Sequence, residues 1–343
     1  MRNLFIVLIS ITLMIVMGCA ERNDPVIPEQ KPQFRVLGIS QTPGLAQDIF
    51  VSGDLAYVAD DRMGISIFNA TDLSAFTLID RISTLERAEQ VCYAPMSGII
   101  LSIEGDWIIG YQPTDTTAIR VFENQELGVM DIDCYQNAPD TVIIGIADPG
   151  ESFIIYKTYT DSFITPYWEA QDYFKKINGS YHGIQMDVED GYVYLAVDQR
   201  GFSIAELSLS PFTCSILSEI ETPGVGYDVA LNGAKTHALL ADFQGGVQII
   251  DISDKSNPVI VGNVLPSGVD KVERISCAGN VVFFTDKYNG VFAADISDPT
   301  APVELAHYES NDPMELFAID DQTVLLADEL IGIIALKLEI PTN

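Results

Sequence analysis

Residues 246–254 read GVQIIDISD, and close copies of this stretch lie at residues 290–298 (GVFAADISD) and 64–72 (GISIFNATD). Weaker copies begin at Trp107, Phe153, Gly201 and Gly332, so that seven copies follow one another at steps of 42 to 48 residues. A fixed period in the range of about 20–50 residues is the signature of a repeat architecture. The sequence therefore predicts a fold built from seven similar units.

Each unit contains four short strand patterns. Upstream of the repeated stretch lies an apolar segment ending in Asp, as in residues 56–60 (AYVAD) and 238–242 (ALLAD), and before it another, as in residues 228–231 (DVAL). Downstream, a Pro-containing turn leads to a fourth segment at residues 258–264 (PVIVGNV). No segment keeps a helical period of 3.6 residues. Four strands per repeat predict the blades of a β-propeller.

The two ends of the chain predict how the propeller closes. The seventh copy stops near Ile340, after its third strand, whereas residues 34–40 (FRVLGIS) form a fourth-type strand without a blade of its own. If this N-terminal strand completes the last blade, no pair of sheet edges is left open. We therefore predict an all-β fold over residues 34–340, a seven-bladed propeller of four-stranded blades closed by the N-terminal strand.

The strongest copies carry a family resemblance. Residues 246–254 followed by Asn257-Pro258, and residues 290–298 followed by Pro299, resemble the LVIVD repeat of bacterial and archaeal surface propellers. The resemblance extends over roughly residues 34–340, although copies two and three are degenerate and copy four has Leu209 in place of the turn aspartate. It implies an extracytoplasmic, seven-bladed propeller, and it implies no catalytic residues because the family has no established general activity.

The N-terminus has the pattern of a targeting segment. Arg2 is followed by an almost unbroken apolar run over residues 4–17, which at ~14 residues is shorter than the ~20 that a membrane-spanning helix needs. Residues 16–19 (VMGC) resemble the bacterial lipobox, with Cys19 at the acylated position. We therefore predict a lipoprotein signal peptide at residues 1–18 and a lipid anchor on Cys19; the alternative is a plain secretory signal followed by an accidental cysteine.

Residues 19–33 are polar and proline-rich, and are interpreted as the acylated cysteine and a flexible tether. Ala20, rather than aspartate, after the cysteine favours the outer membrane or cell surface over the inner membrane. With 49 acidic and 18 basic residues the chain has a formal net charge of −31, which repels nucleic acid. The predicted membrane contact is therefore made by lipid, not by basic residues.

In a propeller the first strand of each blade lines the central channel, and its first residue lies at one mouth. Aligning the seven copies predicts an acidic mouth ring of candidate ligand-binding residues: Asp48, Glu89, Asp131, Gln185, Asp228, Arg274 and Glu315. Carboxylates in this arrangement suit a hard cation such as Ca²⁺. In the alternative interpretation these side chains only hydrate the channel. We expect no cofactor, and the sequence does not decide whether the ring binds a metal ion.

A second candidate site is a protruding segment in the longest repeat. Both tryptophans of the chain and many tyrosines fall in copies two and three, and residues 167–173 (YWEAQDY) are interpreted as an aromatic loop presenting Tyr167, Trp168 and Tyr173. Exposed aromatic side chains suit a carbohydrate or protein contact. The alternative is ordinary packing between blades.

Other residues that often perform chemistry carry weaker signals. Cys92, Cys134 and Cys277 fall where other copies have Val, Leu or Ala, which is typical of core positions, and Cys92 and Cys134 in adjacent blades are the only pair for which we consider a disulfide. His182 is the one histidine near the predicted mouth, where it is either a catalytic base or a surface residue. The chain has no G-x-S-x-G, Walker, G-x-G-x-x-G or H-E-x-x-H motif.

Polar positions spread evenly around the repeat favour a binding surface over a concentrated catalytic cluster. We therefore expect a lipid-anchored, non-enzymatic binding or interaction module for a protein or carbohydrate partner. The alternative is a cation-assisted extracytoplasmic enzyme, a carbohydrate lyase or hydrolase, with its site at the acidic mouth. A third interpretation is a structural component of the envelope. Propellers support many activities, so the fold does not decide among these.

Overall fold

The computed structural model describes residues 31–84, 86–105, 107–111, 118–123, 128–138, 141–150, 152–159, 170–177 and 179–341. In these ranges the chain forms twenty-eight β-strands and one short 3-10 turn at Asp198–Arg200. The strands are arranged in seven sheets of four. The predicted all-β, seven-bladed propeller of four-stranded blades is therefore confirmed.

The bounds of the strands show the repeat directly. In chain order they are β1 (Gln33–Ser40), β2 (Asp48–Ser52), β3 (Leu55–Ala59), β4 (Ile65–Asn69), β5 (Thr77–Ile82), β6 (Ala88–Ala94), β7 (Ile99–Glu104), β8 (Trp107–Tyr111), β9 (Ala118–Glu123), β10 (Asp131–Ala138), β11 (Thr141–Asp148), β12 (Ser152–Tyr159), β13 (Ala170–Ile177), β14 (Tyr181–Asp187), β15 (Tyr192–Val197), β16 (Gly201–Leu209), β17 (Phe212–Ile220), β18 (Asp228–Leu231), β19 (His237–Ala241), β20 (Val247–Asp251), β21 (Val259–Val264), β22 (Val272–Ala278), β23 (Val281–Asp286), β24 (Gly290–Asp295), β25 (Val303–Tyr308), β26 (Pro313–Asp320), β27 (Thr323–Asp328) and β28 (Gly332–Glu339).

Six blades are meanders of four consecutive strands, from β2–β5 (blade 1) to β22–β25 (blade 6). Blade 7 has the order β26-β27-β28-β1, with the N-terminal strand outermost. In it β1 pairs antiparallel with β28, Phe34 opposite Leu338 and Ile39 opposite Ile334. The prediction that the N-terminal strand closes the propeller is thus confirmed.

The core lies between neighbouring blades. In the second strands β7, β23 and β27 every residue is buried, because both faces of each sheet are covered by the adjacent blades. Within the described ranges, buried apolar side chains form seven clusters, each shared by one pair of adjacent blades. This explains why the second and third strands of each repeat read as nearly continuous apolar runs rather than as alternating patterns.

The glycine that begins the strongest repeats has a conformational reason. Gly290 has φ +101°, and a Cβ atom there would lie 2.2 Å from the carbonyl oxygen of Tyr308. Gly332, at the same place in blade 7, has φ +105°. Only glycine adopts this backbone without strain, so the first residue of GVFAADISD is fixed by the turn between the second and third strands.

Candidate functional site at the channel mouth

The inner strands β2, β6, β10, β14, β18, β22 and β26 surround the channel, and their pairing with the second strands defines which residues are equivalent. Asp48 lies opposite Ala59, Gln90 opposite Ile103, and Gly183 opposite Ala196. In each pair the second-strand residue lies near the end of its strand, close to the turn that leads to the third strand. We call the seven equivalent residues the channel ring: Asp48, Gln90, Asp131, Gly183, Asp228, Arg274 and Glu315.

Two members of the ring predicted from sequence were therefore wrongly aligned. Glu89 precedes the channel-ring residue Gln90 by one position, and Gln185 follows Gly183 by two. Both inner strands, β6 and β14, have a β-bulge just before the channel-ring residue, but so do β22 and β26, whose ring residues Arg274 and Glu315 were aligned correctly. The two errors fall instead in copies two and four, where the sequence departs from the repeat template.

The three aspartates of the channel ring are held by backbone amides. In each aspartate, Oδ1 accepts a hydrogen bond from the N–H of the next residue on its own inner strand. Oδ2 accepts one from an N–H on the inner strand of the next blade. The donors are Ile49 and Val91 to Asp48 (both 2.6 Å), Ile132 and Ile184 to Asp131 (both 2.8 Å), and Val229 (2.7 Å) and Ile275 (2.8 Å) to Asp228. These aspartates thus join consecutive blades around the channel.

Arg274 supplies positive charge to the ring. Its Nε lies 3.0 Å from Oε2 of Glu315, while Oε1 of Glu315 accepts a hydrogen bond from the N–H of Leu316 at 2.8 Å. Burial opposes ionisation of the guanidinium, but the carboxylates of Glu315 and Asp228 outweigh it and raise the Arg274 pKa. Arg274 is therefore an internal counter-cation for the surrounding acids.

A second layer of inner-strand side chains follows two residues further along the channel. There Asp133 accepts bonds from the N–H of Met186 at 2.7 Å and from Nε2 of Gln185 at 3.2 Å. Asp133 is a channel residue that the sequence reasoning missed, although its position two residues after Asp131 on a strand is the signal that could have found it. The two layers line a channel cavity of about 210 Å³.

Burial makes ionisation of the channel acids less favourable. It raises the pKa of Asp48 and of Asp133 to about 6, against an ordinary value of 3.8. It also raises the pKa of Asp131 and Glu315 well above their ordinary values. The hydrogen bonds from backbone amides and the charge of Arg274 act in the opposite direction without overcoming desolvation.

The acids that end the second strands hold the loops of the same face. Oδ2 of Asp242 accepts a bond from the N–H of Gly224 at 2.9 Å, and both oxygens of Asp286 accept backbone bonds from the loop before β22 and from its own turn. In blade 4 the equivalent position is occupied by Val197, which has no carboxylate, since Gly201 pairs with Val197 where Gly290 pairs with Asp286. These aspartates fix the frame on which the mouth is built.

The next side chains towards the mouth belong to the residue immediately before each channel-ring residue, either within the inner strand or just ahead of it. We call these seven residues the mouth ring: Gln47, Glu89, Met130, His182, Tyr227, Glu273 and Met314. Glu89, His182, Glu273 and Met314 are each the extra residue of a β-bulge. Bulges redirect side chains and are over-represented next to functional sites. Whereas four of the seven channel-ring residues are acidic, the mouth ring has only two acids and adds methionine, histidine and tyrosine side chains.

Two cavities adjoin at the mouth ring. The larger, about 360 Å³, is lined by Met130, Tyr227, Glu273, Arg274, Lys287, Asp312, Pro313, Met314 and Glu329. The smaller, about 180 Å³, is lined by Gln47, Glu89, Gln90, Val129, Met130, Arg274 and Met314. Because Met130, Arg274 and Met314 belong to both, the cavities form one groove across the channel mouth, which we call the mouth groove. The larger cavity falls in the size range of ligand sites, about 300–1,000 Å³.

Aromatic rings continue from the mouth ring towards the surface of blades 5 and 6. The ring of His182 packs against Tyr227 with centroids 4.8 Å apart, and Tyr227 stacks on Phe243 at 5.0 Å. Lys271 Nζ lies 4.5 Å from the ring centroid of Tyr288, which is exposed. Burial lowers the pKa of His182, which favours the neutral imidazole. The predicted placement of His182 near the mouth thus agrees with the structure.

The cysteines of the propeller are not paired. Cys92, Cys134, Cys214 and Cys277 are free thiols, and Cys134 packs against the apolar cluster that contains Cys92. The pair considered from sequence therefore belongs to one packed region but is not oxidised in this structure. Among the described residues no group of three or more His, Cys, Asp or Glu side chains is arranged to hold a metal ion.

Some residues singled out in the sequence fall outside the described ranges. Residues 1–30, which include Cys19, and the aromatic residues Tyr167 and Trp168 are not described. Tyr173 lies in β13, where it pairs with Tyr156, and only its backbone is described. Within the described part of the chain, no helix has the length and hydrophobicity that a bilayer crossing requires.

Comparison with known proteins supports the repeat and the fold. Residues 43–84, 223–265 and 270–310, which lie in blades 1, 5 and 6, match the LVIVD repeat. The molecule is therefore a seven-bladed β-propeller that contains LVIVD repeats. No curated protein matches its sequence.

Solved structures of very different sequence share the architecture. Virginiamycin B lyase from Staphylococcus aureus is 13% identical, with a TM-score of 0.66 over 90% of this chain and 100% of that one. The WD40 β-propeller domain of Doa1 is 10% identical, with the same TM-score over 89% of this chain and 97% of that one. A catalytically inactive variant of the S. aureus lyase with quinupristin is 12% identical, again with a TM-score of 0.66 over 90% and 100%. At these identities the likeness shows the fold alone.

Proposed function

We propose that this protein is a lipid-anchored propeller of the cell envelope or cell surface that binds a partner through the mouth groove and catalyses no reaction. The observation that carries the proposal is the mouth ring, in which the bulge residues Glu89, Glu273 and Met314 line one groove. A rigid scaffold that presents different side chains at equivalent positions suits selective recognition.

The channel acids support binding over catalysis because they are already engaged. Asp48, Asp131 and Asp228 use both carboxylate oxygens to accept backbone bonds, and Glu315 is paired with Arg274. A general acid or base must exchange a proton with substrate within hydrogen-bond reach. Because these carboxylates already bond to the backbone or to Arg274, we assign them a structural role and assign partner recognition to the mouth ring.

The partner can be captured by crosslinking in native envelopes that contain the full-length protein. We expect the native protein and the control variant Glu304→Gln to be crosslinked to the same partner, because Glu304 lies on the exposed outermost strand β25. We expect it to be lost from Met314→Ala, which opens the floor shared by both cavities. Equal capture by all three proteins would move the site away from the groove, and no specific capture would contradict the binding role.

The alternative function, a cation-assisted enzyme acting on carbohydrate, is favoured by one observation. His182 lies at the mouth with its pKa lowered by burial, so a neutral imidazole that could act as a base is available there. The likeness to a lyase adds the precedent of an enzyme on this fold. A divalent-cation-dependent turnover of oligosaccharides that EDTA abolishes and His182→Gln removes would establish this alternative and end the proposal of a purely binding role.

We further propose that no metal is required, because Arg274 provides the positive charge at the channel ring. The hypothesis of a Ca²⁺ in the channel stays a prediction with a simple test. If the ring needs no metal, the thermal midpoint of the full-length protein is the same in EDTA and in millimolar Ca²⁺. A higher midpoint in Ca²⁺ would restore the metal site.

The proposed location at the membrane depends on acylation of Cys19. Acylation there would place the protein on the outer membrane or cell surface, with residues 19–33 as the tether. We expect the full-length protein to partition into the detergent-rich phase of a cloud-point separation and Cys19→Ser to shift to the aqueous phase. Cys277→Ser, a thiol in the propeller, is the matched control. Equal partitioning of all three would contradict lipid anchoring.

A further inference from the structure

The mouth groove has an apolar floor. Met130 and Met314 lie at the junction of its two cavities, and Pro313 and Tyr227 extend the apolar surface in the larger one. The ring of Tyr227 is held between His182 and Phe243, so its position is fixed before any ligand arrives. Methionine adapts its shape to different apolar groups and is over-used at surfaces that bind polypeptides.

The wall of the larger cavity is mainly acidic. It contains the carboxylates of Glu273, Asp312 and Glu329, whereas its two cations are Arg274 and Lys287. Arg274 is paired with Glu315, and Lys287 Nζ lies 3.9 Å from Glu273. Glu89 adds a carboxylate to the smaller cavity. The groove therefore combines an apolar floor with a net negative wall, in a chain whose formal net charge is −31.

We infer that the mouth groove binds an extended polypeptide segment of a partner protein and seats a lysine or arginine side chain of that segment in the larger cavity. The aliphatic stem of such a side chain lies on Met130, Met314 and Tyr227, while its charged head meets Glu273, Asp312 or Glu329. The smaller cavity takes a neighbouring residue of the same segment. This inference rests on the proposed binding function and specifies its ligand.

Charge decides among the other occupants. A second copy of this chain carries the same net charge of −31 and is repelled. Phosphate-bearing ligands and acidic sugars meet the same repulsion. A neutral oligosaccharide could stack on exposed Tyr288 at the edge of the groove, but it leaves the excess negative charge of the larger cavity uncompensated. A basic side chain satisfies both the floor and the wall.

The test is an array of extended heptapeptides that differ only in the central residue, probed with the full-length protein in mild detergent. We expect retention of peptides with central Arg or Lys and loss with central Gln or Glu. Retention that does not depend on the central residue, retention of Glu-centred peptides, or no retention at all would overturn the inference. A neutral oligosaccharide panel in parallel reports the competing ligand class, and binding there alone would also overturn it.

Two variants locate the binding in the groove. Glu329→Gln removes a wall carboxylate and Met314→Ala shortens the floor, and each should weaken the best Arg-centred peptide by about tenfold or more. The control Glu304→Gln removes the same charge from outermost strand β25 and should bind like the native protein. Equal affinity for all four proteins would overturn the inference, provided their thermal midpoints agree. If no peptide of the array binds but a partner is still captured in native envelopes, only this inference is refuted. If both experiments fail to show binding, the proposed binding function is refuted as well.

Discussion

At the scale of single residues, the aspartates of the channel ring act as connectors between blades. Asp228 accepts N–H bonds from Val229 on its own strand and from Ile275 on the inner strand of the next blade. The sequence predicted that Asp48, Asp131 and Asp228 are equivalent and line the channel. It could not show that their oxygens are engaged by backbone, because the donors are main-chain groups that carry no side-chain signal.

We predict that Asp228→Asn lowers the free energy of unfolding by about 1–3 kcal/mol, the cost of leaving a buried polar group unpaired. One amide oxygen replaces one carboxylate oxygen, but the NH₂ group faces a backbone N–H instead of accepting from it, and the attraction to Arg274 is lost. Chemical denaturation of the native protein, Asp228→Asn and the control Glu304→Gln measures the difference. Native-like stability of Asp228→Asn would show that the bonds to Asp228 do not hold the blades.

The buried acids also predict a dependence on pH. The folded pKa of Asp48 and of Asp133 is about 6, above the ordinary 3.8, so between these values the folded state holds protons that the unfolded state releases. Stability therefore rises as the pH falls from about 7 to about 5, and this gain is lost again as the pH rises through 6. Urea midpoints at pH 5 and pH 8 should differ in that sense.

The control for the pH effect is Asp133→Asn, which removes one of the channel acids with a raised pKa and should make the profile less steep. High salt should leave the remaining slope largely intact, because it screens exposed charges more than buried ones. A native profile that is flat, or that rises towards pH 8, would contradict the assignment of raised pKa values to the channel acids.

At the scale of elements, the sequence predicted the strands correctly where the repeat is regular. Where the repeat is irregular, the alignment of inner-strand residues between copies was wrong at two positions. Four strands per unit, their order and the positions of the turns follow from the copies in blades 1, 5 and 6. The alignment slipped at Glu89 and Gln185, which lie in copies two and four, where the sequence departs from the repeat template. Glu89 nevertheless lines the smaller cavity of the mouth groove, so the sequence named a residue of the proposed binding site but placed it in the wrong ring.

The turn between β23 and β24 gives a prediction at this scale. Gly290→Ala should destabilise the protein by more than about 1 kcal/mol, since φ +101° is strained for alanine and its Cβ would lie 2.2 Å from the Tyr308 carbonyl oxygen. Gly128→Ala is the control, because no atom lies within 4 Å of a Cβ there and φ is not positive. Thermal unfolding of the two variants compares them, and equal midpoints would contradict the conformational role of the repeat glycine.

At the scale of the whole molecule, the ring is closed by a strand from the opposite end of the chain. β1 completes blade 7 through its pairing with β28, so the first and last strands of the propeller hold each other. The sequence predicted this closure from an incomplete seventh copy and an unassigned strand at residues 34–40. Opening it would expose the edge of β28, which invites aggregation.

We predict that Val36→Pro destabilises the protein more than Leu78→Pro. Both residues are exposed on an outermost strand, Val36 on β1 opposite Leu336 and Leu78 on β5 opposite Phe68. Proline removes the backbone N–H and disrupts pairing in each, but only Val36→Pro loosens the closure. Thermal unfolding with light scattering should show a lower midpoint and earlier aggregation for Val36→Pro. Similar behaviour of the two variants would mean that β1 is no more important than any other outer strand.

Site-specific photo-crosslinking in cells that produce the full-length protein tests the proposed binding through the mouth groove most directly. A photo-crosslinking amino acid at the position of Leu330, 70% exposed beside Glu329 of the groove, is compared with one at Val303, 56% exposed on outermost strand β25. We predict a discrete crosslinked partner from position 330 and none from position 303. The same partner from both positions, or none from position 330, would contradict the proposal that this propeller binds through its mouth.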